Sequence, residues 1–184
     1  MSKCPDAGYC QRSFLPTLLK LSSIVNFTVS FIASEPQSYN FQCMHGSDEC
    51  TGNKQQLCIQ DMYSQRDLME FLQCQAKRVW RIPFSGETCA QEMLTNRIQW
   101  SDVQSCVSSD RANALFHQSL ARTNAADAHK SCTIHLDGKF WCMHDGVWFQ
   151  CAEGFDETSL IRAICSRYNG KNKPMECAAS EEVN

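Results

Sequence analysis

The chain has 184 residues, of which 13 are cysteine, with a formal net charge of −3 and 43% hydrophobic residues. A chain of this length can bury the core of one domain. It has no basic stripe and no long run of like charge, so its composition does not favour binding of nucleic acid or of an anionic membrane. The longest apolar stretch, 24–33, contains polar residues and is too short to span a bilayer, so we expect no membrane segment.

The cysteines indicate an oxidising compartment, because cytosolic proteins keep their thiols reduced and carry few disulfides. They are spread along the chain, which favours disulfides between distant elements over one compact metal site. Asn26-Phe27-Thr28 is an N-glycosylation triplet, although so short a motif often occurs by chance. The sequence nevertheless opens Met1-Ser2-Lys3-Cys4, with no segment typical of a signal peptide.

The first quarter of the chain predicts a helix followed by a strand. Residues 9–24 place leucines and a phenylalanine at helical spacing, with Pro16 as a kink. Residues 25–31 alternate apolar and polar side chains, which is the period of a strand. Residues 35–53 are rich in Gly, Ser, Asn and Asp and predict a long ordered loop.

The middle of the chain predicts helices. From residue 53 to about 123 no segment shows the alternation of a strand. Apolar residues at helical spacing indicate helices within 64–80 and 110–122. Three or four helices therefore fill this block.

The last third of the chain returns to strands. Strand-like segments occupy 133–136, 139–143 and 147–150. Between the first two stands Asp137-Gly138, a strong hairpin signal because both turn positions need positive φ.

A closing helix is predicted for 156–168, capped by Asp156. The polar tail beyond residue 170 is expected to be loose apart from Cys177. The order helix, strand, helical block, hairpin and helix predicts a thioredoxin-like α/β fold with a helical insertion. Too few residues precede the first helix for the first strand of that fold, so we expect this strand to be truncated.

Residues 43–58, with the sequence CMHGSDECTGNKQQLC, form the most specific motif in the chain. The segment resembles the signature of the gamma-interferon-inducible lysosomal thiol reductase family, C-Q-H-G-x-x-E-C-x-x-N-x-x-x-x-C, with Met44 in place of Gln. The matching positions are Cys43, His45, Gly46, Glu49, Cys50, Asn53 and Cys58. The alternative of a zinc site built from its cysteines and histidine is disfavoured, because the cysteine spacings of seven and eight are wider than usual.

The resemblance extends along most of the chain, through Cys74, Cys89 and Cys106 and through residues 164–171. It implies one thioredoxin-like thiol reductase domain over 1–170, with the helical insertion at about 53–123 and a tail at 171–184. It also implies that the signature cysteines form disulfides beside the active site, and we expect at least two of the three to be bridged. The implied location is the lysosome, the endosome or the outside of the cell, with disulfide-containing proteins as substrates and no cofactor.

The chain departs from this family at the redox pair, because Cys4-Pro5-Asp6-Ala7 has alanine where a C-x-x-C motif has its second cysteine. Pro5 is suited to the first position of a helix, and a helix N-terminus stabilises the thiolate of Cys4. Cys10 could resolve a mixed disulfide on Cys4 if Asp6-Ala7-Gly8 formed a loop before the helix. The competing hypothesis is a structural Cys4–Cys10 disulfide without turnover.

Two further departures concern the strands. Alignment of 133–136 with the third strand of the fold puts Cys132 at the position of the usual cis-proline. A cis peptide bond before a residue other than proline costs roughly 2.5–4 kcal/mol, so a trans bond is expected there. Cys132 would then offer a third redox-capable sulfur opposite Cys4. Residues 142–151 are an insertion, and we predict a disulfide between Cys142 and Cys151 across its turn.

These residues predict a thiol–disulfide oxidoreductase in which Cys4 attacks a protein disulfide and Cys10 or Cys132 resolves the intermediate. The alternative is a catalytically inactive, disulfide-stapled thioredoxin-like binding module. A binder of a metal or cluster through Cys4 is a third hypothesis. The five histidines show no spacing with acidic residues that would indicate a hydrolase. The oligomeric state stays open.

Overall fold

The computed structural model describes residues 1–93 and 97–181. It is a mixed α/β structure in which helices predominate. Its helices are α1 Pro5–Lys20, α2 Ser47–Met62, α3 Gln65–Ala76, the 3-10 helix Val79–Arg81, α4 Gly86–Glu92, α5 Trp100–Val107, α6 Asp110–Ala125, α7 Glu157–Arg167 and α8 Met175–Glu181. Its strands are β1 Ser34–Gln37, β2 Asn40–Gln42, β3 Thr133–Leu136, β4 Lys139–Asp145 and β5 Val147–Phe149.

The strands form two small antiparallel sheets. β1 pairs with β2 in a hairpin, and β3, β4 and β5 form a sheet in that order. The turn between β3 and β4 is Asp137-Gly138, whose φ angles are +49° and +72°, as a type I′ hairpin requires. The described residues contain no parallel sheet, so the predicted thioredoxin-like topology remains an expectation.

The strand predicted at 25–31 is wrong. This segment has an extended chain with no strand partner, and side chains of the helices satisfy its backbone instead. The N–H groups of Phe27, Val29 and Phe31 donate to Gln65 Oε1, Gln60 Oε1 and Ser119 Oγ, over 2.9, 2.6 and 2.8 Å. The backbone of a partly buried segment needs hydrogen-bond partners. Here side chains of three helices accept the N–H groups that a neighbouring strand would normally bond.

The long loop predicted at 35–53 is also wrong, since it contains the β1–β2 hairpin and the first turns of α2. In the hairpin Glu35 Oε1 accepts the N–H of Tyr39 over 2.7 Å. α2 was not predicted as a separate helix, because much of its buried face is polar. Gln56, for example, is fully buried and its Nε2 donates to Gln75 Oε1 of α3 over 2.7 Å. Apolar periodicity cannot detect a helix that is buried through hydrogen-bonded amides.

The central helix of the core is α1. One side of α1 packs against α3 in the largest apolar cluster, which also includes residues of α2, α4 and α5. Its other side packs against α7 and β4 in a second cluster, where Phe14 meets Trp141 and Leu160. A third cluster gathers Phe31 and Phe116 between α2 and α6. The beginning of α1 is thereby fixed from several directions.

The tail, predicted to be loose beyond residue 170, contains helix α8 in its described part. Cys177 of α8 is joined to Cys165 of α7, with 5.4 Å between their Cα atoms. The cross-link supplies the stability that a short polar helix lacks by itself. No helix of the described residues is long and apolar enough to cross a membrane.

Candidate active site

Cys4 is the N-cap of α1, with extended backbone angles (φ −71°, ψ 128°) before Pro5 begins the helix. Its carbonyl oxygen accepts the N–H of Gly8 over 3.1 Å, the first bond of the helix. Only 7% of Cys4 is exposed. All thirteen cysteines lie in the described ranges, twelve of them in six disulfides, and Cys4 alone carries a free thiol.

The segment leading into Cys4 is held by residues of the signature motif on α2. The N–H of Ser2 donates to Asn53 Oδ1 over 2.9 Å, and its hydroxyl donates to the Glu49 carbonyl over 3.2 Å. The N–H of Lys3 donates to Glu49 Oε1 over 3.2 Å. These three bonds tie the two residues before Cys4 to one face of α2.

Glu49 is fully buried, and such a carboxylate requires several donors. Besides the Lys3 N–H it accepts the N–H of His45 at Oε2 over 3.2 Å, and Nδ1 of His45 lies 2.8 Å from Oε1. The neighbouring Asn53 is also fully buried, and its Nδ2 donates to Cys43 Sγ over 3.6 Å. Four signature residues thus form one connected hydrogen-bond network with Ser2 and Lys3, the two residues before Cys4: Cys43, His45, Glu49 and Asn53.

The signature cysteines are bonded in disulfides. Cys43 pairs with Cys50, with 5.6 Å between Cα atoms, and Cys58 pairs with Cys106 of α5, with 6.1 Å. These sulfurs are not free to bind zinc, and the described residues contain no cluster of three or more possible metal ligands. Gly46, the N-cap of α2, has φ +85°, which explains why glycine is needed there.

Cys10 is joined to Cys132 across 122 residues of sequence, with 6.5 Å between their Cα atoms. Cys132 is half-buried, whereas Cys10 is only 5% exposed. The Ser131–Cys132 peptide bond is cis, so the predicted trans bond is wrong. Two backbone hydrogen bonds with His144, over 2.8 and 2.9 Å, and the disulfide to α1 hold Cys132 in place.

The helix predicted for 9–24 is α1, which begins at Pro5 and ends at Lys20, so Asp6-Ala7-Gly8 does not form the loop that pairing of Cys4 with Cys10 would need. Proline at the first position and Asp6 in the first turn both favour an immediate helix start. At 1.5 Å per residue, Cys10 therefore lies about 9 Å from Cys4 along the helix axis. That distance does not suit a direct Cys4–Cys10 disulfide, and Ala7 occupies the nearer position.

Asp6 connects the start of α1 to the β4–β5 hairpin. Its Oδ1 accepts the N–H of Gly146, in the turn of that hairpin, over 2.9 Å. The same oxygen lies 2.7 Å from Nδ1 of His144, an ion-pair contact whose angle does not meet hydrogen-bond geometry. The hairpin therefore lies against the first turn of α1, next to Ala7.

Aromatic rings pack around the same hairpin. His144 is 7% exposed and stacks on Tyr9, with 4.5 Å between ring centroids. Trp148 meets the other side of His144 edge-on at 4.8 Å and stacks on Phe155 at 6.0 Å. The residues next to the Cys10–Cys132 disulfide thus belong to a cluster of packed aromatic side chains. The sequence analysis did not predict these contacts. The alternating pattern of the hairpin was the available signal for His144 and Trp148, and no local signal pairs them with Asp6 and Tyr9 of α1.

The remaining predicted positions are two disulfides and a glycosylation site. The sulfurs of Cys142 and Cys151 are bonded across the β4–β5 hairpin, with 4.3 Å between Cα atoms. Cys74 of α3 and Cys89 of α4 are bonded with 5.6 Å between Cα atoms. Asn26 is exposed, so an attached glycan would meet solvent there.

The described residues thus form a disulfide-rich α/β protein with one free cysteine, which lies at a helix N-terminus. The family model named "Gamma interferon inducible lysosomal thiol reductase (GILT)" matches residues 1–93, which include Cys4, Cys10 and the whole signature. The chain belongs to this family.

Three curated relatives support that membership. A goldfish (Carassius auratus) gamma-interferon-inducible lysosomal thiol reductase is 25% identical over 191 aligned residues, covering 96% of this chain and 68% of the relative. GILT-like protein 1 of Drosophila melanogaster is 27% identical, over 64% of this chain and 54% of the relative. A lysosomal thiol reductase-like protein of Anopheles gambiae is 27% identical, over 67% and 58%. The match thus spans little more than half of each insect protein.

Proposed function

We propose that this protein is a thiol–disulfide oxidoreductase that reduces disulfides in protein substrates, with Cys4 as the nucleophile. The observation that carries the proposal is that Cys4 has the one free thiol among thirteen cysteines and stands at the start of α1. Reactive cysteines are often found at helix N-termini, where backbone N–H groups are directed toward the sulfur. The family name, thiol reductase, supports the same chemistry.

In the proposed reaction the Cys4 thiolate attacks one sulfur of the substrate disulfide and expels the other as a thiolate, which takes up a proton. A Cys132 thiolate then attacks the Cys4 sulfur and releases the second substrate thiolate, which leaves a Cys4–Cys132 disulfide. Cys10 next attacks Cys132 and frees Cys4, which yields the Cys10–Cys132 disulfide present in the structure. The Cys10–Cys132 dithiol supplies both electrons, and a small thiol of the compartment restores it.

Cys132 suits the first resolving step better than Cys10 does. Cys132 is half-buried, whereas Cys10 is 5% exposed and about 9 Å from Cys4 along the helix. A compartment of lysosomal or extracellular type is part of the proposal, because six disulfides persist in oxidising surroundings. The exposed Asn26 would carry a glycan in that setting.

A second candidate is a non-catalytic, disulfide-stapled binding module. Two observations favour it: Cys4 is only 7% exposed, and the inserted hairpin lies against the first turn of α1 through Asp6. In that case the thiol of Cys4 would be a buried remnant of the family's redox pair, and the Cys10–Cys132 disulfide would be structural.

Turnover of a disulfide-bearing protein, with a small dithiol as reductant, separates the two candidates. We expect the wild type to release substrate thiols and Cys4→Ser to fall to the rate of the dithiol alone. Cys132→Ser should accumulate a mixed disulfide between Cys4 and the substrate, detectable by mass spectrometry. The matched control is Cys165→Ser/Cys177→Ser, which removes a disulfide outside the site and should keep turnover. Equal rates for the wild type and Cys4→Ser would favour the binding module.

A further inference from the structure

Residues 77–85, which connect α3 to α4, form a loop that presents two large aromatic side chains to solvent. Trp80 and Phe84 are each 71% exposed, although rings of this size are usually much more buried. Lys77 and Arg81 are also exposed, and neither forms an ion pair within the described residues. We call residues 77–85 the docking loop.

The docking loop is rigidly supported at both ends. Cys74, just before it, is bonded to Cys89, just after it. Arg78 reaches across the same junction and donates to both carboxylate oxygens of Glu92, over 2.8 and 2.9 Å. Because the loop is ordered before anything binds, contacts with Trp80 would not be weakened by the entropy of ordering it.

The inner face of the docking loop packs against Gly8 of α1 and Gly52 of α2. Val79 is buried against Gly8, one helical turn after Cys4, so closely that a Cβ atom at Gly8 would collide with it. Ile82 is buried against Gly52 of α2, where the Ser2 hydroxyl also meets the glycine. The loop therefore spans from the residue one turn after Cys4 to the segment just before it, with Trp80 facing solvent.

We propose that the docking loop binds the polypeptide around a substrate's disulfide, and that it selects extended, non-native segments with apolar and acidic side chains near the cystine. This inference rests on the proposed function, because a substrate disulfide at Cys4 brings its flanking residues onto the adjoining loop. In folded proteins apolar side chains beside a disulfide are mostly buried, so exposed Trp80 and Phe84 favour a segment that has unfolded. Lys77 and Arg81 add attraction for carboxylates.

An anionic membrane fits the same surface less well. Two cations supply only weak attraction to anionic lipid, which is usually bound by larger clusters of Lys and Arg. The chain as a whole carries a net charge of −3, which opposes that attraction. A polypeptide bonded through its sulfur to Cys4 would also be brought close to this particular loop, whereas nothing would bring a bilayer to it.

The test uses a fluorescent peptide with Phe, Leu and two Glu around a disulfide, and a comparator with Ser and Gln at those positions. Binding is measured with Ser-for-Cys versions of both peptides and with Cys4→Ser protein, so that it does not depend on turnover. We expect Trp80→Ser/Phe84→Ser to weaken binding of the first peptide about tenfold. Lys77→Ser/Arg81→Ser should weaken it about threefold at low salt and hardly at high salt.

Met175→Ser is the matched control, since this side chain is 83% exposed on α8, and its binding should equal the wild type's. Turnover assays on the first peptide should show that the Trp80/Phe84 changes raise KM more than they alter kcat. Unchanged peptide affinity in Trp80→Ser/Phe84→Ser would overturn the inference, even if those changes reduce binding to phosphatidylserine vesicles or self-association. If the wild type shows no turnover but its binding of the first peptide still depends on Trp80 and Phe84, the inference about the docking loop is supported and the proposed reductase activity is refuted.

Discussion

Asn53 accepts the backbone N–H of Ser2 over 2.9 Å, and this bond fastens α2 to the chain two residues before Cys4. With the bond between Glu49 and the Lys3 N–H, it gives the signature motif a physical role in positioning the free cysteine. The signature and Cys4 are far apart in sequence, and the role becomes evident only when the two segments are in contact.

Asn53→Ala should destabilise the protein, because it leaves the buried Ser2 N–H without an acceptor and opens a cavity at a fully buried site. The expected loss is about 1–3 kcal/mol, measured by urea denaturation. Alkylation of Cys4 in the native protein should become faster, because the segment before it is no longer held. Thr51→Ala, at a half-buried position of α2 whose hydroxyl donates to the Ser47 carbonyl of the same helix, is the control and should change both quantities far less.

Ala7→Cys should restore a resolving thiol and raise the turnover of protein disulfides. Residues three apart on a helix have Cβ atoms roughly 5–6 Å apart, near enough for a disulfide with Cys4 after slight adjustment at the helix start. We expect turnover to rise at least about tenfold, on the scale at which a positioned reactive group contributes to catalysis. After mild oxidation, mass spectrometry should find Cys4 bridged to the introduced cysteine.

A control for this experiment is Ala7→Ser, which adds a group of similar size without a thiol and should not raise the rate. If Ala7→Cys turns over no faster than Ala7→Ser, access of the substrate to the first turn of α1 limits the reaction. The inserted hairpin would then be the structure that blocks it.

Asp6→Asn should loosen the contact between α1 and the hairpin, because it removes the carboxylate charge facing His144. The Gly146 amide then loses its charged acceptor and should exchange its hydrogen faster. We also expect faster reduction of the Cys10–Cys132 disulfide by a small dithiol, followed by mass spectrometry. Asp145→Asn is the control on the same turn: it removes an exposed ion pair with Lys130, which contributes little.

Asp156 should make the stability of α7 depend on pH. A hydrogen bond from the Ser159 N–H, 2.7 Å long, holds the pKa of this carboxyl below its ordinary value. The folded pKa is depressed, so the stabilisation is present above the unfolded pKa and is lost as pH falls through the folded one. At neutral pH Asp156→Ala should cost about 1 kcal/mol in thermal or urea unfolding.

Asp156→Asn separates charge from hydrogen bonding at this cap. Its side-chain oxygen still accepts the Ser159 N–H, but it does not titrate. The difference in stability between the wild type and Asp156→Asn should therefore vary with pH, and that between Asp156→Asn and Asp156→Ala should not. A constant difference between wild type and Asp156→Asn across the acidic range would contradict the assignment.

The sequence by itself determined the features that depend on neighbours in the chain. Pro5 predicts the start of α1, Asp137-Gly138 predicts the β3–β4 turn, and Asp156 predicts the cap of α7. The spacing within residues 43–58 was enough to indicate the family. Each of these signals is a local preference of backbone or side chain, so the feature can be predicted without knowledge of distant residues.

The tertiary structure decided what the local pattern leaves open. The disulfide partner of Cys10 is 122 residues away in the sequence. Disulfide connectivity depends on which segments of the chain fold next to each other. Residues 25–31 have the alternation of a strand but bond to Gln60, Gln65 and Ser119, because helices lie next to them. α2 is buried through polar groups such as Glu49 and Asn53, whose partners become evident only in the folded chain. Long-range pairing decides these features because buried polar groups must find partners wherever the fold supplies them.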